Sequence, residues 1–236
     1  MRAVTAVGVV VGVVVVAGGA FVVADRVSAH HAEQRIATAV EQNLDGVVGT
    51  PQVHVEGFPF LTQLAAGSLD HVTGTIDGAT LSGVSARDVV FDGRDVTTTE
   101  PYSVGDATVT ATLPTAAVQQ LVDQRTGLDV DLAVSGDALR ASGSVLGVTL
   151  TADLEPHATD GKLTVDVQKV TIGGLTVSVD DLPGGLGDRL QDLTIPVTGL
   201  PTGMGLADVA VVDDGLRVTA TGEDVRLEEG AGAASR

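Results

Sequence analysis

From Gln52 to Ala220 apolar side chains return at every second position in stretch after stretch, and that period suits a strand with one dry and one wet face. Val53 and Val55 alternate with polar neighbours, and Val72, Gly74 and Ile76 alternate with Thr73, Thr75 and Asp77. Val104 begins a run continued by Val109, Ala111 and Leu113; Val130, Leu132 and Val134 follow, then Val148, Leu150, Ala152 and Leu154. Leu163, Val165 and Val167, and finally Leu216, Val218 and Ala220, repeat the rule. Such alternation is the mark of antiparallel sheets with one solvated side. Asp-Gly pairs at 77–78, 92–93, 160–161 and 214–215 fall between strand-like runs, where they supply the positive φ angles of tight hairpins, so a mostly meandering topology is expected. A further pair, Asp45-Gly46, follows a helical pattern instead. The implied fold class is α+β, mainly antiparallel β, with a curled, strongly twisted sheet packed against an N-terminal amphipathic helix and two short helices.

The first residues obey a different rule. No residue from Val4 to Ala24 carries a charge, and a helix of that length spans about 30 Å, the thickness of a bilayer core. Arg2 precedes the run and favours an N-terminus on the inner side. Residues 1–24 therefore read as a transmembrane anchor or as a signal peptide with Val22-Val23-Ala24 as its small-residue site, and in both cases the remainder is exported. Over 25–44 the pattern becomes an amphipathic helix, with Val27, Ile36, Val40 and Leu44 marking one face and Asn43-Leu44-Asp45-Gly46 its stop. Joined to an uncleaved anchor it makes a helix about 60 Å long. Short helices are expected over Pro114–Arg125, closed by Gly127, and over Pro183–Leu193, so groups of strands end in a helix twice, a weak pseudo-repeat. The segment 228–236 is small and polar and reads as a disordered tail, which leaves one domain over 25–227.

One stretch breaks the alternation. Gly57 to Val72 holds Phe58 and Phe60 on either side of Pro59, in a chain with only four phenylalanines, one tyrosine and no tryptophan. The proline lacks a backbone donor, which excludes a central strand and makes this an edge or a sharp bend. Leu61 and Leu64 continue the apolar surface at helical spacing until Gly67 stops it. Two readings stand: a hydrophobic plug closing the end of a β core, or a rim that touches lipid.

Charge and motif content narrow the function. A net charge of −18 repels nucleic acid and anionic bilayer surfaces, so lipid contact has to be apolar. Cysteine is absent, which removes disulfide and thiolate chemistry. No Gly-x-Ser-x-Gly elbow, phosphate loop or dinucleotide fingerprint occurs; Gly203-Met204-Gly205 reads as the lead-in to a strand. None of His30, His31, His54, His71 and His157 stands at metal-ligand spacing, and Asp70 and His71, adjacent in a strand, point to opposite faces. Asp180-Asp181 and Asp213-Asp214-Gly215 lack the spaced oxygens of a calcium loop and read as turns. No catalytic residue, metal or cofactor is expected.

Gly-Phe-Pro-Phe-Leu-Thr-Gln (57–63) followed by Gly-Ser-Leu-Asp-His-Val (67–72) resembles the signature of the LmeA-like phospholipid-binding proteins of actinobacterial cell envelopes. Ala-Asp-Arg (24–26), Ser144-Val145-Leu146-Gly147, Val170 to Leu175, Ile195-Pro196-Val197 and Thr221-Gly222 agree with it. The resemblance implies a sheet curled around an elongated apolar groove, as in tubular lipid-binding proteins. It also implies non-enzymatic binding or shuttling of phospholipid at the extracytoplasmic face of the plasma membrane, in support of envelope lipid homeostasis. Phe58, Phe60, Leu61 and Leu64 are the expected lipid-binding residues, acyl chains the expected ligand, and residues 4–24 the contact with the membrane. The rival readings are a membrane-tethered scaffold that binds an envelope protein through strand edges and a hydrolase of envelope lipids.

Overall fold

The computed structural model describes residues 24–42, 44–81, 83–126, 130–145, 148–178, 193–195 and 200–226. The apolar run over 1–23, the tail after 227, the expected stop at Gly127 and the expected helix over 183–193, apart from Leu193, lie outside the described residues.

Helix α1 (24–42) leads into β1 (Gln52–Glu56), the short α2 (Phe60–Ala66), and three long strands, β2 (Ser68–Leu81), β3 (Val84–Thr97) and β4 (Ser103–Pro114). After α3 (Thr115–Thr126) come β5 (Asp131–Ser135), β6 (Ala138–Val145), β7 (Val148–Thr159), β8 (Lys162–Ile172), β9 (Leu175–Ser178) and β10 (Leu193–Ile195). The hairpin β11 (Thr202–Val212) and β12 (Gly215–Arg226) follows. The described residues are thus mainly antiparallel β with three helices. Two open sheets form, ordered β1-β2-β3-β4-β12-β11 and β10-β8-β7-β6-β5, with β9 on the same edge of β8 as β10. Neither closes into a barrel among the described residues. Each is a meander, because tight turns place sequential strands side by side; the exception is β12, which returns from far along the chain to pair with the whole of β4, Gly215 opposite Pro114 and Arg226 opposite Ser103.

The apolar faces meet in linked clusters. Ala29 of α1 packs with Val55, Phe60, Leu69 and Val72, and Phe91 and Val96 join this cluster to Val104, Ala107 and Val225. At the other end Val118 of α3, Leu139, Leu206, Val209 and Leu216 form a second centre, joined through Leu113 and Val218 to Ala86, Val89 and Ala111. That second centre is where the two sheets meet. The β7–β8 turn, Asp160-Gly161, rests on the edge strand β11, and the Leu206 amide donates to the Gly161 carbonyl at 3.0 Å. Glycine on both sides permits this approach: a Cβ on Gly205 would stand 3.1 Å from the Gly161 Cα.

Several expectations need correction. Asp160-Gly161 is a hairpin turn, and the β11–β12 turn is Asp213-Asp214, one residue before the expected Asp214-Gly215. Asp77-Gly78 and Asp92-Gly93, however, lie inside β2 and β3. Their glycines serve close approach, not reversal: a Cβ on Gly78 would meet Val48 and the Ala86 carbonyl, both at 3.3 Å, and one on Gly93 would meet the Phe91 ring. The chain reverses instead between Leu81 and Val84. On α1 the inward residues are Asp25, Ala29, Ala32 and Ile36, while Val27 is exposed. At 100° per residue Val27 stands half a turn away from Ile36.

The glycine contact between the sheets predicts that Gly205→Ala destabilises the protein by about 1–3 kcal/mol, the usual range for an overpacked site. Gly74→Ala, whose Cβ would find its nearest neighbour at an ordinary 3.5 Å, should stay within about 0.5 kcal/mol. Urea unfolding of both variants checks this; equal midpoints would refute the close-packing account.

Candidate functional site

The site is built where α1, β1, α2 and the start of β2 come together, and its centre is a carboxylate. Asp25 of α1 is fully buried. The Phe60 amide donates to its Oδ2 at 2.9 Å and the Leu61 amide to its Oδ1 at 2.8 Å. These are the first two amides of α2, whose own N-cap residue, Pro59, offers no side-chain bond. A helix start leaves such donors without intrahelical partners, and an oxygen acceptor there both satisfies them and meets the positive end of the helix. The cap therefore comes from another helix, 35 residues earlier in the chain. At the far end of α2, Gly67 takes a left-handed φ of 80° and its amide bonds back to Leu64, the stop its sequence predicts.

Two further side chains brace the junction. Gln63, buried in α2, donates to the Glu56 carbonyl at 3.3 Å and accepts from the Asp70 amide at 2.8 Å, so it fastens the end of β1 to the start of β2. Glu33 of α1 accepts from the Val55 amide at 2.9 Å, on the side of β1 away from β2. The Arg26 guanidinium lies 5.6 Å from the centre of the Phe58 ring, a cation–π contact.

Against this frame the four expected lipid residues divide into two pairs. Phe60 is 3% exposed and belongs to the core cluster, and Leu61 packs against that cluster. Phe58 and Leu64 are 51% and 48% exposed. The plug and the rim thus coexist on one turn-helix element: Phe58 stands before α2, and Leu64, one turn after Phe60 on the same side of the helix, is half exposed where Phe60 is buried. Sequence reading missed Asp25, Gln63 and Arg26 as parts of this site. The signal for Asp25 was a charged residue in line with Ala29, Ala32 and Ile36, four residues before Ala29 on the dry side of an amphipathic helix.

His71, on β2, does point away from Asp70, but it finds acids on its neighbours: Nδ1 is 2.9 Å from Glu56 on β1 and Nε2 is 3.1 Å from Asp92 on β3. The hydrogen bond to Asp92 pushes the imidazole pKa up from its ordinary 6.5, partial burial opposes this, and the bond to Glu56 adds to the rise. A separate pocket on the second sheet is lined by Arg140, Thr151, Asp153, Lys169, Thr171 and Thr176. It is polar throughout, and Arg140 binds Asp153 at 2.7 Å and holds that carboxyl below its ordinary 3.8. No acyl chain fits such a lining.

The family model of the LmeA-like phospholipid-binding proteins matches residues 23–221. The chain belongs to the LmeA-like phospholipid-binding family. The matched span takes in Asp25, the whole Phe58–Leu64 element it caps and both sheets up to β12, so the LmeA-like unit is the fold described above. No curated protein and no solved structure matches the chain.

Two outcomes follow from the geometry. Asp25→Ala should lower stability by at least about 2 kcal/mol, since it orphans two buried amides at about 1–3 kcal/mol each. Asp25→Asn keeps one acceptor and should fall between; urea unfolding measures both, and a shift under about 0.5 kcal/mol for Asp25→Ala would show the cap to be dispensable. His71 has a folded pKa raised above its unfolded value, so its contribution is complete below pH 6.5 and is lost as pH rises through the raised value. His71→Gln should therefore lower the thermal midpoint at about pH 5 and have little effect at about pH 9; an equal effect at both would contradict the pairing.

Proposed function

We propose that this protein binds a phospholipid without catalysis, on the outer side of the plasma membrane, where residues 1–24 direct and hold it, and that it shuttles or presents lipid there for the cell envelope. Membership of the LmeA-like phospholipid-binding family carries the reading. The acyl chains are proposed to enter between α1 and the first sheet, above the cluster of Ala29, Val55, Phe60, Leu69 and Val72. Phe60 and Leu61 form the floor of that groove, and Phe58 and Leu64 its mouth. Each methylene removed from water contributes about 0.8 kcal/mol, so ten are worth about 8 kcal/mol before ordering costs, and no charged headgroup pocket is required. This suits a domain of net charge −18, which offers anionic headgroups little attraction.

The scaffold reading draws less support. Strand-edge recognition needs free backbone groups, yet Glu33 occupies the Val55 amide on β1, and Gln119 of α3 accepts from the Leu132 amide at 2.7 Å and donates to the Val130 carbonyl beside β5. Two outer edges are thereby engaged by their own helices.

A chain beginning at Ala24, purified and extracted with organic solvent, should yield stoichiometric phospholipid by mass spectrometry. Phe60→Ala should cost about 3–5 kcal/mol of stability, as a buried aromatic does, and a Phe58→Ala, Phe60→Ala double variant that stays folded should lose the lipid. Lipid at the wild-type level in the folded double variant would move the site elsewhere, and none in the wild type would overturn lipid binding itself.

A further inference from the structure

The α2 element carries two half-exposed apolar side chains, Phe58 and Leu64. The Arg26 guanidinium of α1 lies 5.6 Å from the centre of the Phe58 ring, and Asp25 beside it holds the start of α2 through the Phe60 and Leu61 amides. The same tie fixes where the rest of the chain leaves. The uncharged run that begins at Val4 ends at Ala24, one residue from Asp25. Consecutive Cα atoms are 3.8 Å apart, so residue 23 is within about 8 Å of Asp25 whatever path the segment takes. If the run lies in a bilayer, the α2 end of the domain is held at its surface.

We propose that this end is a membrane-docking tip whose occupant is the phospholipid bilayer: Phe58 and Leu64 enter the interfacial layer, and Arg26, held over the Phe58 ring, sits at the level of the phosphates. Phenylalanine and leucine beside a cation are the residues such interfaces accept. Charge supports an end-on posture. The domain as a whole repels anionic headgroups, so broad contact is disfavoured, whereas the tip joins two apolar residues to one of the chain's 13 basic ones. The tip would then place the proposed mouth of the lipid groove against the lipid source, and the domain would stand away from the surface. From Ser68 to Thr80, β2 extends about 40 Å away from α2 at 3.3 Å per residue. This inference rests on the reading of residues 4–24 as membrane-directed and not on the lipid groove.

The absence of cysteine makes the test direct. Full-length chains with one fluorescent label, at Ala20→Cys, Phe58→Cys, Leu64→Cys or Ser85→Cys, are reconstituted in vesicles of phosphatidylcholine and phosphatidylglycerol. Ser85 is exposed and pairs with Thr80, at the far end of β2. Labels at 20, 58 and 64 should be quenched by nitroxide lipids and shielded from aqueous iodide, and the label at 85 should show the reverse. A label at 20 quenched by lipid, with 58 and 64 as open to iodide as 85, would overturn the tip. Shielding of 58 and 64 from both quenchers would show a protein surface against them, a second copy included, and would overturn it equally. A label at 20 that nitroxide lipids do not reach would remove the premise and the proposal together, while the phospholipid extracted from the domain would stand unaffected.

Discussion

One buried carboxylate holds the α2 end of this protein in place. Asp25 accepts the first two amides of α2, and a seven-residue helix depends on such help. Isolated helices of that length do not form in water, because nucleation fixes several residues for one hydrogen bond. Without an acceptor the Pro-Phe-Leu turn would bury two unpaired donors, each worth about 1–3 kcal/mol. With it, Phe60 and Gln63 are buried while Phe58 and Leu64 stay half exposed. Gln63 then passes the constraint on to β1 and β2, and Glu33 repeats it from the same helix. Helix α1 is therefore more than a cover for the sheet; its polar inward residues set the positions of the apolar ones around it.

The rest of the molecule solves a different problem, how to make a large β structure from small side chains. Most buried positions are Ala or Val, and Phe60 is the single aromatic among the fully buried described residues. Small side chains let backbones approach, and the two sheets use this directly where Gly161 meets Gly205. They also contribute little apolar area each, so stability has to come from extent. Long strands supply it: β4 and β12 pair along twelve-residue strands, and β2 and β3 along fourteen. Cross-strand threonines such as Thr110 with Thr219 and Thr171 with Thr176 close hydrogen bonds between neighbouring strands.

What the sequence revealed divides along the same line. Alternation exposes a strand where its faces keep one register, and β1 and β5 were legible for that reason; β7, β8 and β12 were legible because their alternating runs, Val148 to Leu154, Leu163 to Val167 and Leu216 to Ala220, stop short of the extra residues on β8 and β12. β3 was not: a bulge between Arg87 and Val90, with Asp88 at a φ of 49°, interrupts its period. β11 carries two such shifts beside Gly203-Met204-Gly205. Asp-Gly misled at 77–78 and 92–93 because a glycine that lets another chain segment come close has the same spelling as a glycine that turns. At the site, Gly67 announced the end of α2, whereas Asp25 did not announce its partner, since a cap borrowed from another helix leaves no local pattern. His71 escaped for the same reason; its acids, Glu56 and Asp92, are neighbours only through strand register.

Exposure alone does not single out the α2 end. Leu175, beside the Gly173-Gly174 turn, is 75% exposed, more than Phe58 or Leu64, and scattered apolar residues of this kind are normal on any surface. The difference lies in what each is attached to. Leu175 sits on a four-residue strand opposite Ile172 of β8, far along the chain from the uncharged N-terminal run. Phe58 and Leu64 are fastened, through two hydrogen bonds, to the turn of helix in which the uncharged N-terminal run ends. A lipid-binding domain that collects acyl chains at one end gains from having that end face the bilayer, because the chain then moves between two apolar environments over a short path through water. The arrangement needs no affinity of the domain's acidic surface for the membrane. It needs only that the end carrying Phe58 and Leu64 stay beside the end of the uncharged run, and Asp25 holds it there.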